Sequence, residues 1–120
     1  MSYVYVFLTI ALTVYGQLII KWQAGIAGPL PESTAEKIGF LVHLLLSPWV
    51  ISAFLAAFLA SMTWIAAMTK LQISHAYPFM SLAFVLVLIL SGVLFHEPIT
   101  SLKITGMVLI VAGIIIGSQG

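Results

Sequence analysis

Cysteine, aspartate and arginine are absent from the 120-residue chain, and only 6% of its residues carry a charge. Without cysteine it can form no disulfide and offer no thiolate ligand. Its lysines exceed its glutamates by one, a formal net charge of +1, which excludes the basic surface that nucleic acid requires, so no nucleic-acid partner is expected. What remains is 62% hydrophobic with a mean hydropathy of +1.24, the composition of a membrane protein rather than a soluble domain.

The apolar runs define four spans, at about 3–22, 48–69, 75–95 and 102–118, each near the roughly twenty residues that cross ~30 Å of hydrocarbon. They leave almost no chain for a soluble domain. The expected fold is an all-α membrane protein, residues 1–120 forming a single four-helix transmembrane domain. The first run could pass for a signal sequence, but it lacks a basic start, is too long, and is followed by no small-residue cleavage pattern, so it is read as retained. After it, Gly25, Gly28, Pro29 and Pro31 are expected to break the helix. Ser33 and Glu36 then have the spacing of a capping box. Ile38, Leu41, Val42 and Leu45 keep helical periodicity over about 35–46, a stretch too short to span, which predicts a short interfacial or re-entrant helix. The alternative is a lengthened second span, against which Ser47-Pro48 stands as a helix start.

Following the chain across the membrane places Lys21, Glu32, Glu36, Lys37, His96, Glu97 and Lys103 on one side and Lys70 on the other. The positive-inside rule puts the lysine-rich face in the cytoplasm and both termini outside, although a chain so nearly balanced can insert either way.

Thr9, Thr13, Gln17 and Lys21 recur every fourth residue through Val4–Trp22, drawing a polar line along one helix face. Polar groups at membrane depth turn toward protein or a water-filled path, because an unpartnered one in hydrocarbon is costly. Ser74, Tyr77 and Ser81 form a second such line, with Trp64 on the second span as its companion. Each residue also has a plainer explanation. Trp64 and Tyr77 can anchor at the interface, Ser81 can bond between helices, Lys21 can snorkel to the headgroups, and Glu97 can be a solvated loop charge. Gln17 and Thr13 continue inward from Lys21, which favours a hydrated pocket with a positive mouth. An ammonium there can hold a phosphate, while amide and hydroxyl groups bind sugar-like groups and Glu97 serves as counter-ion when the site is empty. His43 and His96 belong to no ligand cluster, so neither a metal nor a cofactor is expected.

Four spans in 120 residues, Gly16-Gln17-Leu18 followed by Lys21, Ala76-Tyr77-Pro78 with Ser81, and His96-Glu97-Pro98 together resemble the small multidrug resistance-like branch of the drug/metabolite transporter superfamily. Within it the chain most resembles the small subunits proposed to flip 4-amino-4-deoxyarabinose-phosphoundecaprenol, from which its extended Ala35–Leu46 segment departs. The resemblance implies a transporter, not an enzyme, in a bacterial inner membrane, acting in lipopolysaccharide modification on a polyprenyl-phosphate-linked glycolipid. The expected assembly is an antiparallel or pseudo-symmetric dimer, a homodimer or a heterodimer with a related small subunit, surrounded by membrane lipids. Burial argues the same way, since one four-helix unit is too small to enclose a headgroup path, and Gly106 and Gly113 offer small surfaces for helix packing. Small multidrug exporters resemble the chain at Lys21, Trp64, Tyr77 and Ser81 but carry an essential Glu in the first span, where this chain has Thr13. A proton-coupled cation exchanger needs an ionisable group there, and threonine supplies none. The expected substrate site is therefore Thr13, Gln17, Lys21, Trp64, Tyr77, Ser81 and Glu97, accepting an anion or a zwitterion with a phosphate. Two alternatives stay open: a multidrug-type exporter of small molecules, and a non-transporting subunit that supports a glycosyltransferase.

Overall fold

The computed structural model describes residues 2–120, and its regular structure is entirely helical: α1 (Ser2–Ala27), α2 (Thr34–Leu45), α3 (Pro48–Met68), α4 (Ile73–Ala76), a 3₁₀ segment (Tyr77–Ser81), α5 (Leu82–Leu94) and α6 (Ser101–Gly117). Three apolar stretches are long enough to cross a membrane, Tyr3–Ala27, Pro48–Met68 and Ile73–Leu94, and α6 is a shorter apolar helix of 17 residues. At 1.5 Å per residue α6 is about 25 Å long, a few ångströms less than the hydrocarbon core. The four expected spans thus correspond to three long apolar stretches and one shorter helix.

α1 continues five residues past the expected end, straight through Gly25. A glycine inside a helix costs about 1 kcal/mol relative to alanine, too little to stop it. The stop comes at Gly28, whose φ of +88° is left-handed and whose N–H donates to the Ala24 carbonyl at 3.2 Å, with Pro29 unable to continue the ladder. α2 begins where Ser33 accepts a hydrogen bond from the Glu36 N–H at 3.2 Å, and none of its residues is buried. It is separate from α3: Ser47 takes the N-cap backbone position before Pro48, although its hydroxyl donates to Gln23 Oε1 at 3.4 Å instead of capping.

α1 and α3 form the most extensive helix pair. Small residues make it possible, since α3 turns Ala53, Ala56 and Ala60 inward and a Cβ at Gly16 would stand only 3.3 Å from the Ala53 carbonyl oxygen. Val6, Ile10 and Val14 of α1 join Ala67 and Ala76 in the core, covered by Leu18, Trp64, Phe79, Met80 and Leu82 among others. The expected third span is one apolar stretch but not one α-helix. Pro78 has no N–H to give, and the chain tightens into 3₁₀ geometry over Tyr77–Ser81 before α5 resumes. α6 is peripheral, with Ile114 its single buried residue, and packs mainly on α5 and the 3₁₀ segment.

Candidate functional site

An α-helix advances about 400° over four residues, so a line of residues spaced by four winds about 40° per step around the axis. From Thr9 to Lys21 the polar line therefore turns by about 120°, and the structure distributes its members accordingly. Thr9 is buried against α3, its hydroxyl 2.6 Å from that of Thr63 and 2.8 Å from the Tyr5 carbonyl. Thr13 and Gln17 line a cavity of about 540 Å³ between α1, α3 and the 3₁₀ segment. Gln17 and Lys21 line a second cavity, of about 390 Å³, between α1, α5 and the start of α6. Gln17 is the residue common to both.

The larger of these two cavities carries no charged side chain. Its polar groups are Thr9, Thr13, Gln17 and Ser61, with Trp64 and Tyr77 meeting edge to face across 5.9 Å between ring centroids. Its apolar walls include Phe54, Ile65 and Met80. Tyr77 is 61% exposed, so the cavity is open on that side. The smaller cavity is charged: Lys21, Glu97 and Lys103 line it together with the buried Ser91. Glu97 is brought there by the turn after α5, where His96 adopts a left-handed φ of 55° and the Glu97 N–H donates to the Ser91 carbonyl at 3.4 Å. The Ile99 side chain of this loop packs over Gly92. Lys103 is set by Thr100, whose hydroxyl accepts from the Lys103 N–H at 3.2 Å, and its ammonium donates to the Pro98 carbonyl at 3.1 Å.

Of the residues singled out in the sequence, Thr13, Gln17, Trp64 and Tyr77 meet in the uncharged cavity, and Gln17, Lys21 and Glu97 meet in the charged one. Ser81 lines neither. The cause is the 3₁₀ segment, in which residues three apart eclipse, so that Tyr77 shares its face with Met80 instead of Ser81. The expected line Ser74–Tyr77–Ser81 does not form one face of the site, and Ser74 lies exposed outside both cavities. Sequence reasoning passed over Met80, Ser61 and Lys103. For Lys103 the available signal was its place on the lysine-rich face, but nothing in local spacing joins it to Lys21. A third cavity, about 680 Å³, lies between the end of α1, α2 and the start of α3, with Gln23, His43 and Ser47 as its polar groups. Gln23 and Ala27 continue the α1 face that carries Gly16 and Ile20, so this cavity follows the uncharged one along the helix.

The sequence profile of the EamA-like transporter family matches residues 1–118. The chain is 33% identical over 117 residues to the "Probable 4-amino-4-deoxy-L-arabinose-phosphoundecaprenol flippase subunit ArnE" of Serratia proteamaculans (strain 568), covering 98% of this chain and 95% of the relative. The protein of the same name from Sodalis glossinidius (strain morsitans) is 32% identical over 114 residues, 95% of this chain and 94% of the relative. That of Pseudomonas aeruginosa (strain UCBPP-PA14) is 36% identical over 70 residues, 58% of this chain, and there the match spans only 61% of the relative's length. No solved structure matches the chain. With its long apolar helices and a family match over almost its full length, the chain is a multi-pass membrane protein that belongs to the EamA-like transporter family.

Proposed function

We propose that the protein flips a polyprenyl-phosphate-linked sugar, of the aminoarabinose-phosphoundecaprenol kind named for its relatives, between the leaflets of a bacterial inner membrane. The observation that carries this reading is the partition of the site. An uncharged cavity lined by hydroxyl, amide and aromatic groups adjoins a cavity with two ammonium groups and one carboxylate. A sugar phosphate has the same division. Its ring offers hydroxyls and apolar faces to Thr13, Gln17, Trp64 and Tyr77, and its phosphate offers charge to Lys21. The isoprenoid tail, joined to the phosphate, stays in lipid on the side of the charged cavity, and only the headgroup crosses. Glu97, which lines the same cavity as Lys21, supplies the counter-charge when no phosphate is present.

No carboxylate lines the uncharged cavity, which speaks against a lipophilic cation as substrate. One subunit leaves that cavity open, so a partner, either a second copy or a related small subunit, completes it. The exposed α2 lies at the membrane surface on the Lys21 side and shapes the lateral access above the third cavity.

The test compares Lys21→Ala with Lys70→Ala at matched protein levels in proteoliposomes, following headgroup translocation by leaflet-specific labelling. Lys21→Ala is expected to lose most of the flux and Lys70→Ala to keep it, with Lys21→Arg retaining part because it keeps the charge and changes the geometry. Equal flux in the two alanine variants removes Lys21 from the site. A scaffold for a glycosyltransferase would tolerate both.

A further inference from the structure

The charged cavity contains one charged residue without a role of its own in the reading above. We propose that Lys103 is the second ligand of the substrate phosphate, which is held between Lys21 of α1 and Lys103 of α6.

A lysine at the start of a membrane helix ordinarily extends its four-carbon stem so that the ammonium reaches water or headgroups. Lys103 instead curls back across the loop, where its ammonium donates to the Pro98 carbonyl at 3.1 Å and lines the same cavity as Lys21 and Glu97. That bond uses one of three donors and leaves the rest available. The neutral carbonyl is a poorer partner for an ammonium than a phosphate oxygen, so the contact positions the group without satisfying it. Its backbone is fixed independently by the Thr100 cap, so the side chain can change partners without disturbing the helix start. The charges also match. Two ammonium groups and one carboxylate line the cavity, a net charge of +1, and a phosphodiester carries a single negative charge. Such a ligand would join α1 to α6, which otherwise packs mainly on α5 and the 3₁₀ segment. The inference rests on the assignment of Lys21 to the phosphate and extends it to a second helix.

The experiment titrates farnesyl phosphate, and separately farnesol, into the full chain in phosphatidylcholine nanodiscs, with native mass spectrometry as the readout. Lys103→Gln is expected to weaken farnesyl phosphate by about fivefold to tenfold, the scale of one partly exposed charge-assisted hydrogen bond, and to leave farnesol unchanged. Lys103→Arg should recover most of the loss, and Lys37→Gln should have no effect. Weakened binding in Lys21→Gln with native binding in Lys103→Gln overturns the inference and leaves the proposed function standing. Native binding in both variants overturns both. Equal losses for phosphate and alcohol would mean that Lys103 only holds the loop through Pro98, which also overturns it. Phosphatidylglycerol competing as well as farnesyl phosphate would support the two-lysine phosphate site and assign it to phospholipid in place of a prenyl chain.

Discussion

At Gly16 α1 lies close against the backbone of α3, and its substitution gives a graded test of the fold beneath the site. A Cβ there would lie 3.3 Å from the Ala53 carbonyl oxygen and 4.0 Å from the Ala53 Cα. The oxygen belongs to the backbone of α3 and cannot swing aside, so the helices themselves must separate by a few tenths of an ångström. For Gly16→Ala two terms oppose each other. The helix interior gains about 1 kcal/mol from losing a glycine, and the crowded contact returns about the same, at the low end of the 1–3 kcal/mol typical of overpacking. Gly16→Ala should therefore fall within about 1 kcal/mol of the native chain. Gly16→Val adds two methyl groups at the same place and loses the propensity gain to β-branching, so it should destabilise by about 2–3 kcal/mol. Gly106→Val is the control, since a Cβ at Gly106 meets nothing within 4 Å inside the subunit. The assay is reversible unfolding by SDS in mixed micelles, followed by tryptophan fluorescence. Native stability in Gly16→Val would show that α1 and α3 do not pack through Gly16 and Ala53, and the walls of the uncharged cavity would then need another explanation. A Gly106→Val chain that keeps subunit stability but loses cross-linked dimer would place α6 at the partner interface.

Two further outcomes follow from the site. Thr13→Glu should reduce glycolipid flux severalfold in the leaflet-labelling assay, because it places a carboxylate in the uncharged cavity on the phosphate path, and it should not by itself create drug export; unchanged flux would put Thr13 outside the pathway. Single cysteines placed along 34–45, in a chain that has none, should show protection from a membrane-impermeant thiol reagent every three to four residues if α2 lies at the surface, whereas uninterrupted protection would place it within the bilayer.

Where a structural signal is local, the sequence revealed it. Ser33 with Glu36, Gly28 before Pro29, and Ser47 before Pro48 each bound a helix where their types and spacing said, because a cap or a stop is decided by a few adjacent residues. Gly25 shows the limit: a residue that merely disfavours a helix does not end one when the flanking apolar turns are buried or lipid-facing. The site was legible as a set of residues and not as a geometry. Periodicity of four marked Thr9, Thr13, Gln17 and Lys21 correctly as polar, but the winding of that line separates Thr9 from Lys21 and divides the site between two cavities. Ser81 was tied to Tyr77 by assuming α-helical spacing across Pro78, and the 3₁₀ segment exchanged it for Met80. Lys103 depends on the return of α6 toward the end of α1, a tertiary fact with no local trace.

The position of the charges constrains how such a site could work in a pair. Lys21 lies six residues from the end of α1 and Lys103 two from the start of α6, so both ammonium groups belong to one end of the subunit, while Lys70 follows α3 at the other. Beyond the charged cavity a headgroup would meet only hydroxyl, amide, indole and phenol groups, among them Thr13, Gln17, Trp64 and Tyr77. These can solvate a phosphate in transit but hold it less strongly than an ammonium, which keeps the middle of the path from becoming a trap. An antiparallel partner would set a second pair of lysines at the opposite leaflet, giving the phosphate an equivalent resting place on each side and making the flipper symmetric, with direction set by the supply of substrate. A parallel partner would put all four ammonium groups at one face and bias the headgroup toward it. The two arrangements separate cleanly in the Lys103→Gln chain: symmetric loss of flux in both directions requires antiparallel subunits, and loss confined to uptake from one leaflet requires parallel ones.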